Sequence, residues 1–181
     1  AGMLRRARAK ETPGAWVRGK GPAFPFADAA FDAIYSSYVL QHIPDIAGLF
    51  RESYRILRAG GAMAHITVPE EYIRNHPLNQ YFPSFSATDL RRFPPLDRLE
   101  TLLREAGFAM IVCDTESEPS RPMDRAYLER VEARFLSTFD LLPEGEYEAG
   151  CARMREEIAR KGVAGTIVRQ AVLVQARKTT E

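Results

Sequence analysis

Residues 24–45, FPFADAAFDAIYSSYVLQHIPD, and 49–69, LFRESYRILRAGGAMAHITVP, decide the fold. Phe31 to Ser37 is an apolar run bounded by polar residues, which predicts a strand. Pro44-Asp45 then opens a helix with Ile46, Leu49, Phe50, Ser53, Tyr54 and Leu57 on one face, at spacings of three and four. Gly60-Gly61 stops that helix, because glycine enters the left-handed region without steric cost. Ala62 to Val68 predicts a further strand, and Pro69 ends it.

The pattern extends in both directions. Toward the N-terminus, Met3, Leu4 and Ala7 share a helical face that Pro13-Gly14 closes. Trp16-Val17-Arg18 reads as a short strand running into a turn at residues 19–22. Toward the C-terminus, residues 70–95 are aromatic and carry Pro77, Pro83, Pro94 and Pro95, which excludes a long helix or a central strand. A connection of that length in a compact domain is a lid, a binding loop or an insert. Leu96, Leu99, Leu102, Leu103 and Ala106 then mark an amphipathic helix before a strand at Phe108 to Val112. Asp124 to Leu142 reads as one helix, a second starts at Pro143, and Thr166 to Arg177 reads as a final strand. Strands alternating with helices in this order predict an α/β domain with a mostly parallel sheet.

Composition narrows the function classes. The 181 residues carry a net charge of +1, so the basic footprint of a nucleic-acid binder is absent. No apolar run approaches the roughly 18 residues that cross a bilayer. The Arg-rich opening AGMLRRARAK superficially resembles a transit peptide, but acidic Glu11 follows and a surface helix is the better reading. Cys113 and Cys151 are far apart, which suggests packed thiols and a reducing, cytoplasmic setting. His42, His65 and His76 show no metal-ligand spacing, so no metal is expected.

Four motifs in order go beyond periodicity: Phe24-Pro25-Phe26, Phe31-Asp32, His42-Ile43-Pro44-Asp45, and Arg55 through Gly61. Together they resemble the second half of a class I S-adenosylmethionine-dependent methyltransferase core. The resemblance is close over residues 1–68 and gives architecture alone over 70–165. It implies a Rossmann-like sheet lacking its first two strands, because the glycine-rich cofactor turn and the ribose-binding carboxylate of the family would both precede Ala1. In the family's sheet the Trp16 strand would be third and the Phe31 strand fourth, with strands one and two between them. The organisation it implies is a second half of the cofactor core at 1–69 and a lid or insertion loop at 70–95. A core helix and strand follow at 96–118, a helical cap at 119–165, and a final antiparallel strand at 166–178. Such a chain, with its two flanking strands left apart and the Met3 helix poorly packed, is expected to bind the cofactor weakly or not at all.

By the same resemblance S-adenosylmethionine is the cofactor. Met3, Lys20, Gly21 and Pro22 border its adenine, and Ser37, Tyr38 and Val39 border its methionine end. Ligands of open parallel sheets bind beyond the carboxyl ends of the strands, which agrees with that placement. The partner is a small-molecule methyl acceptor offering O, N or C, and the cap is also suited to form a homodimer contact. Methyl transfer is a single displacement that depends chiefly on alignment, with a base needed only when the acceptor must lose a proton. His42 is the candidate base, against a histidine that merely starts a helix; Tyr38 is a candidate for orienting the acceptor, against simple packing. Tyr72, His76, Tyr81 and Phe82 are candidates for an aromatic acceptor wall, against ordinary cap packing. His65, inside a strand, reads as a satisfied core residue.

One departure supports a rival reading, a methyltransferase-like binding or regulatory subunit. The family usually places Asp where Lys20 stands, and a lysine has no lone pair to accept the adenine amino group. A nicotinamide-binding oxidoreductase is a weaker third reading, since no Gly-x-Gly-x-x-Gly run is visible. Lys20→Asp in catalytically competent protein is expected to tighten cofactor binding about tenfold, the worth of one charge-assisted hydrogen bond. Calorimetry giving equal or weaker binding would move adenine recognition to the backbone at Gly21-Pro22.

Overall fold

Asp45 starts the helix that organises the sheet: its carboxylate accepts the Gly48 N–H at 2.7 Å and caps the first turn. The computed structural model describes residues 2–10, 14–19 and 21–180. In chain order the elements of the first half are α1 (Gly2–Arg8), β1 (Phe31–Ser37), α2 (Ile46–Ile56) and β2 (Leu57–Thr67). Short helices α3 (Glu70–Arg74) and α4 (Phe85–Leu90) occupy the proline-rich stretch, and α5 (Leu96–Glu105) and β3 (Phe108–Ser117) follow. A two-residue strand β4 (Arg121–Pro122), α6 (Arg125–Glu132), α7 (Glu146–Lys161), β5 (Thr166–Ile167) and β6 (Gln170–Lys178) complete the chain.

The main sheet has the order β1-β2-β6-β3. β1 and β2 are parallel, and β6 runs against both β2 and β3. This is a mixed, Rossmann-like α/β sheet. Crossover helices α2 and α5 cover one face, where Phe50, Leu57, Met63, Leu99, Leu103 and Val174 form a buried core. Phe24 to Asp28 is fastened to α2 by Arg55, which donates to the Phe26 carbonyl at 2.8 Å and to Glu52 at 2.6 Å. Glu52 in turn accepts the Phe24 N–H at 2.9 Å, and the Arg55 guanidinium holds its carboxyl down at about 2.

Four sequence expectations change. The helix opened by Pro44-Asp45 ends at Ile56, and Leu57 to Gly61 already belong to β2. Trp16–Arg18 is irregular rather than a strand, and among the described residues nothing pairs with it or with the outer edge of β1. A strand needs a neighbour to satisfy its backbone groups, and none stands beside it. Arg8 donates to the Trp16 carbonyl at 3.5 Å, but α1 contributes no residue to either buried cluster among the described residues. The single helix expected at 124–142 ends at Glu132, because Arg134 takes a left-handed φ of 51° and starts a turn that leads into a 3-10 segment, Ser137–Leu141. The final strand breaks at Val168 and Arg169, where the chain passes from a β4–β5 ribbon into the main sheet.

A second core lies outside the sheet. Leu78, Tyr81, Phe82 and Phe85 from the proline-rich stretch pack with Met123, Leu128, Val131, Phe139, Cys151 and Met154 of the helical region. Phe82 lies against α7 at Gly150, where an added β-carbon would overlap its ring and stand 2.8 Å from the Tyr81 carbonyl oxygen. Neither the ring nor the backbone has room to retreat. Gly150→Ala is therefore expected to destabilise the protein by about 1–3 kcal/mol. Urea unfolding with an unchanged midpoint would show that this helix contact is looser than the structure has it.

Candidate active site at the sheet rim

β1 carries the chain to the carboxyl end of the sheet, and Tyr38 bends it there. Its φ is 52°, an uncommon conformation for a residue with a side chain, which in this chain Ala29, Met110 and Arg134 also adopt. The bend is held on both sides: Tyr38 donates its N–H to the Ile66 carbonyl at 2.9 Å, and its own carbonyl accepts the Gln41 side-chain amide at 2.9 Å. Ser37 and Val39, flanking it, are exposed. Gly21-Pro22 reaches the same neighbourhood. A β-carbon on Gly48 would stand 2.9 Å from the Pro22 β-carbon, so residues 21–22 rest on the first turn of α2. Gly48 thus serves both that approach and the Asp45 cap. Lys20 lies outside the described residues, as does the side chain of Met3, whose backbone belongs to α1.

The Tyr38 side of this rim opens on a cavity of about 270 Å³. Tyr38, Gln41 and Val68 form its sheet wall; Tyr72, His76, Phe85, Asp89 and Phe93 come from the stretch after β2. Tyr127, Arg130, Phe135 and Thr138 close it from the helical region, and Ile167, Arg169 and Gln170 from the return to the sheet. The lining is mostly apolar with a few polar groups, as small-molecule sites are.

Those polar groups have defined states. His76 is 7% exposed, and burial lowers its pKa to about 4, so the ring is neutral. Its Nδ1 accepts the Leu78 N–H at 3.1 Å, which fixes the ring proton on Nε2. Asp89 Oδ1 accepts from Thr138 Oγ1 at 2.8 Å and from Arg92 Nη1 at 3.1 Å. Burial nevertheless leaves the Asp89 pKa above the usual carboxylate value. Burial also pushes the Tyr72 hydroxyl up to about 12. Tyr127 is 8% exposed, and among the described residues its hydroxyl has no hydrogen-bond partner. Arg169 pairs with Glu118 at 3.1 Å through one terminal nitrogen.

The expected site residues are divided among three places. Tyr72 and His76 line the cavity beside Tyr38. Tyr81 and Phe82 sit in the second core instead, Tyr81 donating its hydroxyl to Glu157 at 2.6 Å and Phe82 meeting the Phe139 ring edge-on at 5.2 Å. His42 is exposed and lines an adjoining groove with Pro44, Arg91 and Arg92; Gln41 and Phe93 border both depressions. His65 is only half satisfied: Nδ1 shares a short hydrogen bond with Ser36 Oγ, while Nε2 has no partner among the described residues. Asp89, Tyr127 and Arg169 were not legible as site residues. For Asp89 a signal existed, since Phe85, Asp89 and Phe93 recur every four residues and place an acid on an apolar helical face. Tyr127 passes for a core aromatic, and nothing in the sequence distinguishes Arg169.

Residues 1–65 match the methyltransferase domain family. Over these residues the chain is similar to that family, and the solved structures it resembles support a methyltransferase-type fold. Among curated relatives, the demethylmenaquinone methyltransferase of Roseiflexus castenholzii is 32% identical over 113 residues, covering 52% of this chain and 48% of its own. That of Listeria monocytogenes is 28% identical over 114 residues with the same coverage. The chain spans about half the length of the curated relatives it matches. In fold it is similar to the YcgJ protein of Bacillus subtilis, with a TM-score of 0.60 at 17% identity over 97% of this chain and 76% of that one. The [4+2]-cyclase SpnF has a TM-score of 0.52 at 18% identity, over 99% of this chain and 61% of its own. The match to the methyltransferase domain ends before every cavity residue named above except Tyr38 and Gln41.

Both buried histidines bear on stability. Burial holds His65, 2% exposed, and His76 at about 4, below the ordinary value of 6.5. Between those values the unfolded chain binds protons that the folded chain refuses, so stability is full above about pH 6.5 and falls toward pH 4. The loss is at most roughly 3 kcal/mol for each ring. Thermal midpoints measured from pH 7 to pH 4 should fall, and fall less in His65→Gln. A flat profile would mean that the rings are hydrated.

Proposed function

We propose that the protein transfers a methyl group from S-adenosylmethionine to a small molecule held in the 270 Å³ cavity. The observation that carries this reading is the double position of Tyr38: its backbone forms the strained rim at the end of β1, and it also lines the cavity. A group held at the rim and a molecule in the cavity would meet there. The family match over residues 1–65 and the demethylmenaquinone methyltransferases among the relatives support methylation of a small acceptor.

The rim residues fit the cofactor. Ser37 and Val39 are exposed beside the Tyr38 bend, and Gly21-Pro22 lies against α2 next to the loop that leaves β1. In this reading Gly21-Pro22, with Lys20 and Met3, borders the adenine, and residues 37–39 border the methionine end. The cofactor supplies an electrophilic methyl on a sulfonium sulfur. Tyr38 orients the acceptor, and Phe85, Phe93 and Phe135 exclude water from it. Tyr72 and His76 form its polar wall, whereas Tyr81 and Phe82 support that wall from the core. His42, exposed in the adjoining groove, is the base of this reading and takes up the acceptor's proton by way of solvent water, since it does not line the cavity itself.

The test uses catalytically competent protein, methyl-labelled cofactor and a panel of small acceptors. Ser137 lines the cavity, and Ser137→Trp places an indole in it. Labelled product should form with the parent protein and be lost in Ser137→Trp, while cofactor affinity stays unchanged. His42→Gln should lower turnover by about 10²-fold at unchanged cofactor affinity. Undiminished transfer in Ser137→Trp would place the acceptor elsewhere, and no cofactor-dependent labelling would sink methyl transfer itself.

A further inference from the structure

The cavity wall is unevenly stocked with donors and acceptors. Its one carboxylate, Asp89, already takes two donors on a single oxygen, from Thr138 and Arg92. The Gln41 amide is committed to the Tyr38 carbonyl. Among the described residues, the groups left over are mostly donors: the Tyr127, Tyr72 and Tyr38 hydroxyls, the proton on His76 Nε2, Arg130 and the Arg169 nitrogens that do not meet Glu118, with the Gln170 side-chain carbonyl as an acceptor beside them.

Tyr127 is the informative group. A buried hydroxyl without a partner costs stability, and structures usually avoid one. Phenylalanine would fill the same space against Phe135 without that cost. Tyr72, Tyr127 and Arg169 line the same cavity, and the Arg169 charge acts on both phenols, against Glu118 at Tyr72 and together with Arg130 at Tyr127. Two phenolic donors beside a guanidinium suit an oxygen that bears negative charge. Phe85, Phe93 and Phe135 supply apolar surface for the rest of such a molecule.

We propose that Tyr72, Tyr127 and Arg169 form a receptor for an anionic oxygen, so that the methyl acceptor is an apolar, aromatic-sized molecule carrying a carboxylate or an ionised hydroxyl. This rests on the reading that the cavity holds the acceptor. Glu118 keeps one side of Arg169 occupied and orients the guanidinium.

Calorimetry on the 181-residue chain with three probes tests the proposal: 2-naphthoate, its neutral carboxamide, and a nitronaphthol ionised at the assay pH. The naphthoate should bind at least tenfold tighter than the carboxamide. Equal binding of the nitronaphthol would extend the receptor to any anionic oxygen, and its exclusion would restrict it to carboxylates. Arg169→Gln and Tyr127→Phe should each bring the naphthoate close to the carboxamide. Tyr127→Phe should at the same time leave the thermal midpoint unchanged or raise it, since that hydroxyl has no partner to lose. A carboxamide that binds as well as the naphthoate, no binding of any probe, or variants without effect would each overturn the receptor. No cofactor enters these titrations. Anion-selective binding without methylation would therefore sink methyl transfer and keep the receptor, and methylation without anion selectivity would do the reverse.

Discussion

Neither the proline-rich stretch after β2 nor the helical region before β6 can bury its apolar residues alone. The first has only helices α3 and α4 with a 3-10 turn between them; the second is α6, a 3-10 segment and α7. Each offers half of a hydrophobic cluster, with Phe82 and Phe85 on one side and Phe139, Cys151 and Met154 on the other. Closing that cluster over the end of the sheet fixes both segments, and the cavity is what their polar ends leave open. Asp89 to Thr138, Ser84 N–H to Glu146, and Tyr81 to Glu157 and the Ala164 carbonyl stitch the two along the seam.

The two ends of the molecule therefore differ in how freely their chemistry can vary. At the rim, Tyr38 is bound through its backbone to β2 and to the turn at Gln41, which leaves little latitude in sequence or conformation. Across the cavity, part of the wall is side chains of α4 and α6, such as Phe85, Asp89, Tyr127 and Arg130, and exchanging those disturbs no ladder. A fold shared with the [4+2]-cyclase SpnF does not by itself compel methyl transfer. The distinction between chemistries rests on what the walls hold against the rim.

The sheet and its crossover helices were readable because their information is local. Asp45, the stripe from Ile46 to Tyr54 and the β1 run each predict an element without reference to distant residues. Trp16–Arg18 was misread for the complementary reason: its composition suits a strand, but pairing depends on a neighbour. The break at Arg134 was invisible because the stripe of Leu128, Val131, Phe135 and Phe139 continues through it in periodicity while the backbone turns. The cavity was least legible of all. Its walls come from four separated stretches, and the role of a Tyr127 or an Arg169 is set by what faces it rather than by what flanks it. Tyr72 and Tyr81 look alike in sequence, yet one lines the cavity and the other is tied to Glu157.

The excursion that carries the helices leaves β3 at Ser117 and rejoins β6 at Gln170, and those two residues are paired across the ladder. Glu118 and Arg169 prolong the pairing by one more hydrogen bond at 2.8 Å. The two ends of the inserted chain are thus only about 5 Å apart. To the sheet, this whole excursion, 118–169, and a two-residue hairpin turn are equivalent closures of the same gap. Such a junction tolerates lengthening, shortening or wholesale exchange of its contents without disturbing the sheet rim, so the rim and the chamber beside it are free to vary separately.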